Sequence, residues 1–125
     1  MGKYTKVLWI RDIEADIVNI KINIFDEIDY GSVLRAVGCA ESQMCTTKLP
    51  YGLIAYHDKD GLCRDGAHLT TIKFHAMQED YTFGGNVIVM GGGSKRIGLS
   101  EYQEEVIKDK KKFTAGFSGR VSNGS

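Results

Sequence analysis

The chain has 125 residues and a mass of 13.8 kDa, which fits one domain over residues 1–125. Its 42% hydrophobic and 26% charged residues exclude a disordered chain, because they are enough to build a core inside a solvated surface. Sixteen basic side chains balance sixteen acidic ones, which excludes a strongly basic nucleic-acid binder and an acidic DNA mimic, so no direct binding to double-stranded DNA is expected.

Residues Met1 to Tyr4 lack the apolar stretch of a secretory signal, and no window of about twenty apolar residues follows, so a cytoplasmic protein without membrane contact is expected. Val7-Leu8-Trp9-Ile10 is a short apolar run. In residues 17–25, Ile20, Ile22 and Ile24 alternate with Lys21 and Asn23, the period of a half-buried strand. The polar stretch from Asp12 to Asp16 turns one run back on the other as an antiparallel hairpin. Asp29 then caps a short helix over Tyr30–Val37, with Val33, Leu34 and Val37 at helical spacing and Gly38 as its stop.

After Pro50, Leu53 to Tyr56 reads as a strand and Asp60-Gly61 as the hairpin turn that follows, with Leu62 and Cys63 starting the return. Leu69–Phe74 and Asn86–Met90 are two further strand-like runs, the second bracketed by glycines. Ser100 with Gln103 forms a capping box that opens a helix over residues 100–112. Glutamates stand at its start and lysines at its end, as the helix dipole favours. Tyr102, Val106, Ile107 and Phe113 give that helix an apolar side, and residues 114–125 follow as a polar tail. The pattern predicts an α+β domain, a mostly antiparallel sheet with a short helix and a C-terminal amphipathic helix packed on one face.

Cys39, Cys45 and Cys63 are odd in number and irregular in spacing, so no disulfide framework is expected. His57, Cys63, His68 and His75 lack the tight ligand pairs of a zinc site, and Asp58-Lys59-Asp60-Gly61 lacks the ligand order of a calcium loop; no metal and no cofactor are expected. Gly91-Gly92-Gly93-Ser94-Lys95-Arg96 follows a strand with two cations. It suits either a mobile connection or an anion site built from backbone N–H groups, although it is not a P-loop. In Tyr81–Asn86, Phe83 either enters the core or stacks on a base, while Asn86 suits an amide-like edge or a ribose hydroxyl.

The stretch from about Tyr51 to Phe113 carries a Tyr-x-Asp-x-Asp-Gly turn at Tyr56–Gly61, a Gly-Gly-Asn-Val-Ile-Val-Met-Gly strand at Gly84–Gly91, and a helix led by Leu99-Ser100-Glu101. With the opening hairpin, these motifs resemble the phage anti-Thoeris sponge proteins of the first type. The resemblance implies a homo-oligomer that sequesters cyclic ADP-ribose isomers, and in related members cyclic oligonucleotides, without cleaving them. It further implies Phe83 as the base-stacking group, Asn86 as a polar contact, and Arg96 and Arg120 as phosphate partners. The competing class is a protein-binding inhibitor of a host defence nuclease, of anti-CRISPR or antirestriction type, which would retain no nucleotide. A third class is a small hydrolase or transferase using one of the three histidines, which would turn a nucleotide over. A non-enzymatic protein is expected, since a sink needs no catalytic constellation.

Overall fold

The structure is a computed structural model and describes residues 3–122. The opening hairpin forms as the alternation dictates: β1 (Lys3–Arg11) pairs with β2 (Glu14–Ile22) from Lys3↔Ile22 to Arg11↔Glu14. Asp12 makes the turn in the left-handed region at φ 47°, which Asp tolerates better than most side chains, and its N–H donates to His68 Nε2 at 3.1 Å. Next comes α1 (Tyr30–Val37). Asp29 Oδ2 accepts from the Ser32 N–H at 3.0 Å and the Ser32 hydroxyl at 2.8 Å, and these bonds hold its carboxyl below the usual range. Gly38 closes α1 at φ 79°, a conformation open to glycine, and its N–H bonds the Leu34 carbonyl.

Six strands and one helix complete the order: β3 (Met44–Lys48), β4 (Leu53–Asp58), β5 (His68–Phe74), β6 (Glu79–Gly84), β7 (Val87–Gly91), α2 (Glu101–Lys108) and, last, β8 (Phe113–Arg120). They build a five-stranded sheet, β2-β1-β7-β4-β3, and a three-stranded sheet, β6-β5-β8, antiparallel throughout. The larger sheet is covered on both faces. Leu8, Ile10, Ala55, Val87 and Val89 meet Ile72, Phe74, Phe83, Val106 and Phe113 from the smaller sheet and its flanks, while Val7, Ile20, Ile88 and Met90 meet Val33 and Val37 of α1. Every residue of β7 is therefore buried, which is why its sequence is an unbroken apolar run rather than an alternation.

The α+β class, the mostly antiparallel pairing, the α1 boundaries and the capping box match the sequence reading. Four details differ. The helix from Ser100 stops at Lys108 and is not C-terminal, because Asp109 leaves helical geometry and Phe113 begins a strand. The polar tail is largely β8, whose small and β-compatible residues pair with β5 through Arg120; residues 123–125 lie outside those described. Leu62 and Cys63 form a single 3₁₀ turn, not a returning strand, since β4 is already flanked by β3 and β7. The two helices join different cores instead of one face, Val106 in the first and Val33 and Val37 in the second.

Candidate functional site

Each of the four residues expected to hold a ligand has an internal partner. Phe83 is 5% exposed, with its ring centroid 4.5 Å from that of His57. Asn86 Nδ2 donates to the Ala36 carbonyl at 3.3 Å, where the Trp9 indole N–H also donates at 3.0 Å, so the pair satisfies a carbonyl at the end of α1. Arg96 Nε donates to the Ile28 carbonyl at 2.8 Å, its guanidinium lies over Tyr30, and Glu27 is 3.4 Å away. Arg120 bonds the Gly66 carbonyl at 3.2 Å, pairs with Asp12 at 3.6 Å and covers Phe117.

These residues do not converge within one protomer. Asn86 and Arg96 tie opposite ends of α1, whose eight residues span about 12 Å at 1.5 Å per residue. Phe83 and Arg120 belong to the other sheet, on strands separated by β5.

A different group of residues forms a cleft that suits an anion. The glycine segment after β7 folds over the start of β4: the Gly92 N–H donates to the Gly52 carbonyl at 2.6 Å, and a Cβ at Gly92 would run into that same carbonyl. Gly93 sits at φ 143°, which an L side chain rarely adopts, so this loop needs glycine for close approach at one position and for conformation at the next. Tyr51, at φ 63°, completes the turn below it. The Gln103 side chain holds the Tyr51 carbonyl at 3.0 Å, linking the α2 capping box to the cleft wall. The result is a cavity of about 470 Å³ lined by Lys48, Ile54, Gly92, Gly93 and Ser94 together with Leu49, Gly52 and Leu53. No carboxylate lines it. Lys48 and Ile54 are register partners on one face of the β3–β4 hairpin, so a cation and an apolar wall stand side by side next to an exposed glycine-serine backbone.

Lys48 was missed in the sequence because residues 44–48 carry no clear alternation. The β-branched Thr46-Thr47 pair is the one strand signal there. The glycine loop itself was visible, but its two cations part company: Arg96 turns to Ile28 and Glu27, whereas Lys95 stays exposed.

On the other face of the hairpin lies a cleft of about 330 Å³ with Thr47, His57, Asp58, Lys59, Asp80 and Phe83 among its walls. His57 Nε2 shares a 2.8 Å hydrogen bond with the Thr47 hydroxyl, and burial against Phe83 pushes its pKa below the ordinary value. Asp58 is bonded by the Arg64 guanidinium, which holds its carboxyl below the usual range. Two carboxylates make this cleft the poorer anion site.

Its histidine sets a pH dependence of stability. Because the folded-state pKa lies below the ordinary 6.5, the unfolded chain takes up the proton first as pH falls. Stability contributed by neutral His57 is thus complete above about pH 6.5 and is lost as pH drops from there through the folded pKa. Melting temperatures measured from pH 7.5 down to 5 should fall, and His57→Gln should flatten that slope; an equal slope in the variant would exclude His57 as its source.

No protein-family model, curated protein or solved structure matches the chain. Among the described residues, no group of three or more His, Cys, Asp or Glu stands close enough to hold a metal ion, no disulfide joins the cysteines, and no helix is long and apolar enough to cross a membrane.

Proposed function

We propose that the protein binds a phosphate-bearing cyclic nucleotide signal, of the cyclic ADP-ribose or cyclic oligonucleotide type, and sequesters it intact as a phage anti-defence sponge. The observation that carries this reading is the carboxylate-free cleft in which Lys48 faces the exposed Gly93-Ser94 backbone across the apolar wall of Ile54, the half-buried Gly92 having its own N–H on the Gly52 carbonyl. A phosphate gains from a cation and from backbone N–H groups, and no buried like charge opposes it here. Ile54 offers the ring system an apolar surface, and Lys95, next in sequence to Ser94, is a second exposed cation. Binding in this cleft uses none of the internal partners of Asn86, Arg96 or Arg120.

The test mixes purified protein with cyclic ADP-ribose isomers and cyclic oligonucleotides, follows thermal stabilisation, and analyses the ligand released by heat denaturation. A ligand that binds only the native state raises the melting temperature by mass action and returns unchanged. Lys48→Ala should weaken that binding by about 1.5 kcal/mol, roughly tenfold, the low end for a charge-assisted contact because Lys48 is exposed. The absence of stabilisation by any of these nucleotides overturns the reading, and a chemically altered product moves the protein to the enzymes.

A further inference from the structure

Where the end of α2 meets the opening hairpin and β8, the core reaches the surface. Leu8 and Phe113 are only 2% and 4% exposed, yet both belong to the wall of a cavity of about 260 Å³ between β2, β8 and the last turn of α2. Two small residues leave that space open: Ala15 of β2 and Ala115 of β8 stand on separate walls, and a larger side chain at either would fill it. Ile107 of α2 closes a third side. Water in an apolar recess finds few hydrogen-bond partners, so an apolar group that displaces it gains affinity.

One charge lines this recess. Lys110 is the single ionised side chain in its wall, it is exposed, and among the described residues no ion pair engages it. The carboxylates next to the wall are committed elsewhere. Glu14 and Asp16, on either side of Ala15 in β2, both pair with Arg11, at 3.2 and 3.8 Å. Asp109 Oδ1 accepts from the Lys111 N–H at 3.0 Å, and the Asp109 carbonyl accepts from the Lys112 N–H at 2.9 Å and the Phe113 N–H at 3.0 Å. These bonds close a turn around Lys110, so its backbone is fixed before any ligand arrives. The other polar group of the wall, the Thr114 hydroxyl, shares a 3.1 Å hydrogen bond with His75 Nε2.

We infer that this cavity binds an aliphatic monocarboxylate, with its chain against Leu8, Ile107 and Phe113 and its carboxylate on Lys110 Nζ. A single cation with no carboxylate in the same wall matches a single negative charge, and an apolar floor matches a hydrocarbon chain, since a sugar or a second charge would lose its hydration there. Size sets the class of chain. The cavity lies just under the about 300–1,000 Å³ of pockets for drug-sized ligands, which suits a short or medium acyl chain and excludes a whole phospholipid. It shares no residue with the Lys48 cleft, so the inference stands apart from the nucleotide reading.

Butanoate, hexanoate and octanoate titrated into the protein and followed by methyl NMR should shift the signals of Leu8, Ala15, Ile107 and Ala115, with affinity rising about fourfold for each added methylene. Ala15→Leu should abolish binding of all three acids with the melting temperature kept, because Ala15 is exposed and the added side chain occupies the cavity. Ala115→Leu fills the space from the other wall and should do the same. Lys110→Gln should weaken octanoate about fivefold at low salt, the scale of an exposed charge pair, and leave the affinity for octanol unchanged. The inference is overturned if octanoate fails to bind up to about 10 mM, if affinity is independent of chain length, if both leucine variants bind as the wild type does, or if octanol binds the wild type as tightly as octanoate.

Discussion

Phe83→Ala should lower stability by about 3–5 kcal/mol, the cost of truncating a buried aromatic in a packed core. Phe83 is 5% exposed, belongs to the cluster between the two sheets, and forms one side of the ring contact with His57. The lost ring leaves a void beneath a residue that is itself half-buried, and neither β4 nor β6 can close over it without breaking its ladder. For a domain of this size the loss corresponds to a drop in melting temperature of about 10–20 °C. Nucleotide affinity, corrected for the folded fraction, should stay unchanged, because the proposed phosphate cleft is at Ile54 on the other face of β4, and three residues of strand span about 10 Å. Scanning calorimetry with and without ligand separates the two outcomes. A stable Phe83→Ala variant with lost affinity would return the base to Phe83 and remove it from the core.

Gly61→Ala should be comparably damaging, at about 3 kcal/mol, the upper part of the range for overpacking. The 3₁₀ turn after β4 crosses β6 so closely that a Cβ at Gly61 would overlap the Gly84 carbonyl, and a Cβ at Gly84 would overlap the Gly61 carbonyl. Both obstacles are backbone, so no side-chain rotation relieves them. The turn has to lift away from β6, and that lift exposes the wall shared by Phe83 and His57. Chemical denaturation should report the loss, and Gly84→Ala should produce one of similar size. Combining the two should not restore stability, since each adds bulk to a single crossing; restoration would mean the chains do not meet there.

What the chain could be read to do locally was legible where a residue acts on its own neighbours in sequence. Asp29 caps α1 through Ser32, three residues on, Gly38 ends it through Leu34, and Ser100 with Gln103 closes a capping box, all through bonds spanning four residues or fewer. The opening hairpin was readable for the same reason, although its alternation misled at the end: β2 stops at Ile22, so Ile24 is displayed and not buried. The fully buried β7 was readable as a strand from its Val-Ile-Val-Met run, but that run is silent on what covers each face.

Tertiary structure decided everything that depends on partners far along the chain. The strands β3, β6 and β8 have weak patterns of their own and exist because β4 and β5 offer them edges, the last through a pairing of Phe74 with Phe113 across thirty-nine positions. The fate of the arginines and of Asn86 was equally invisible, because a guanidinium or an amide has the same chemistry toward a phosphate as toward a backbone carbonyl. Which of the two it meets is fixed by the packing of α1 against β7 and of the hairpin tip against β8. Lys48 gained its place beside the glycine loop in the same way: β4 pairs with β7 on one side and β3 on the other, and that order brings a lysine and a glycine segment more than forty residues apart to one cleft.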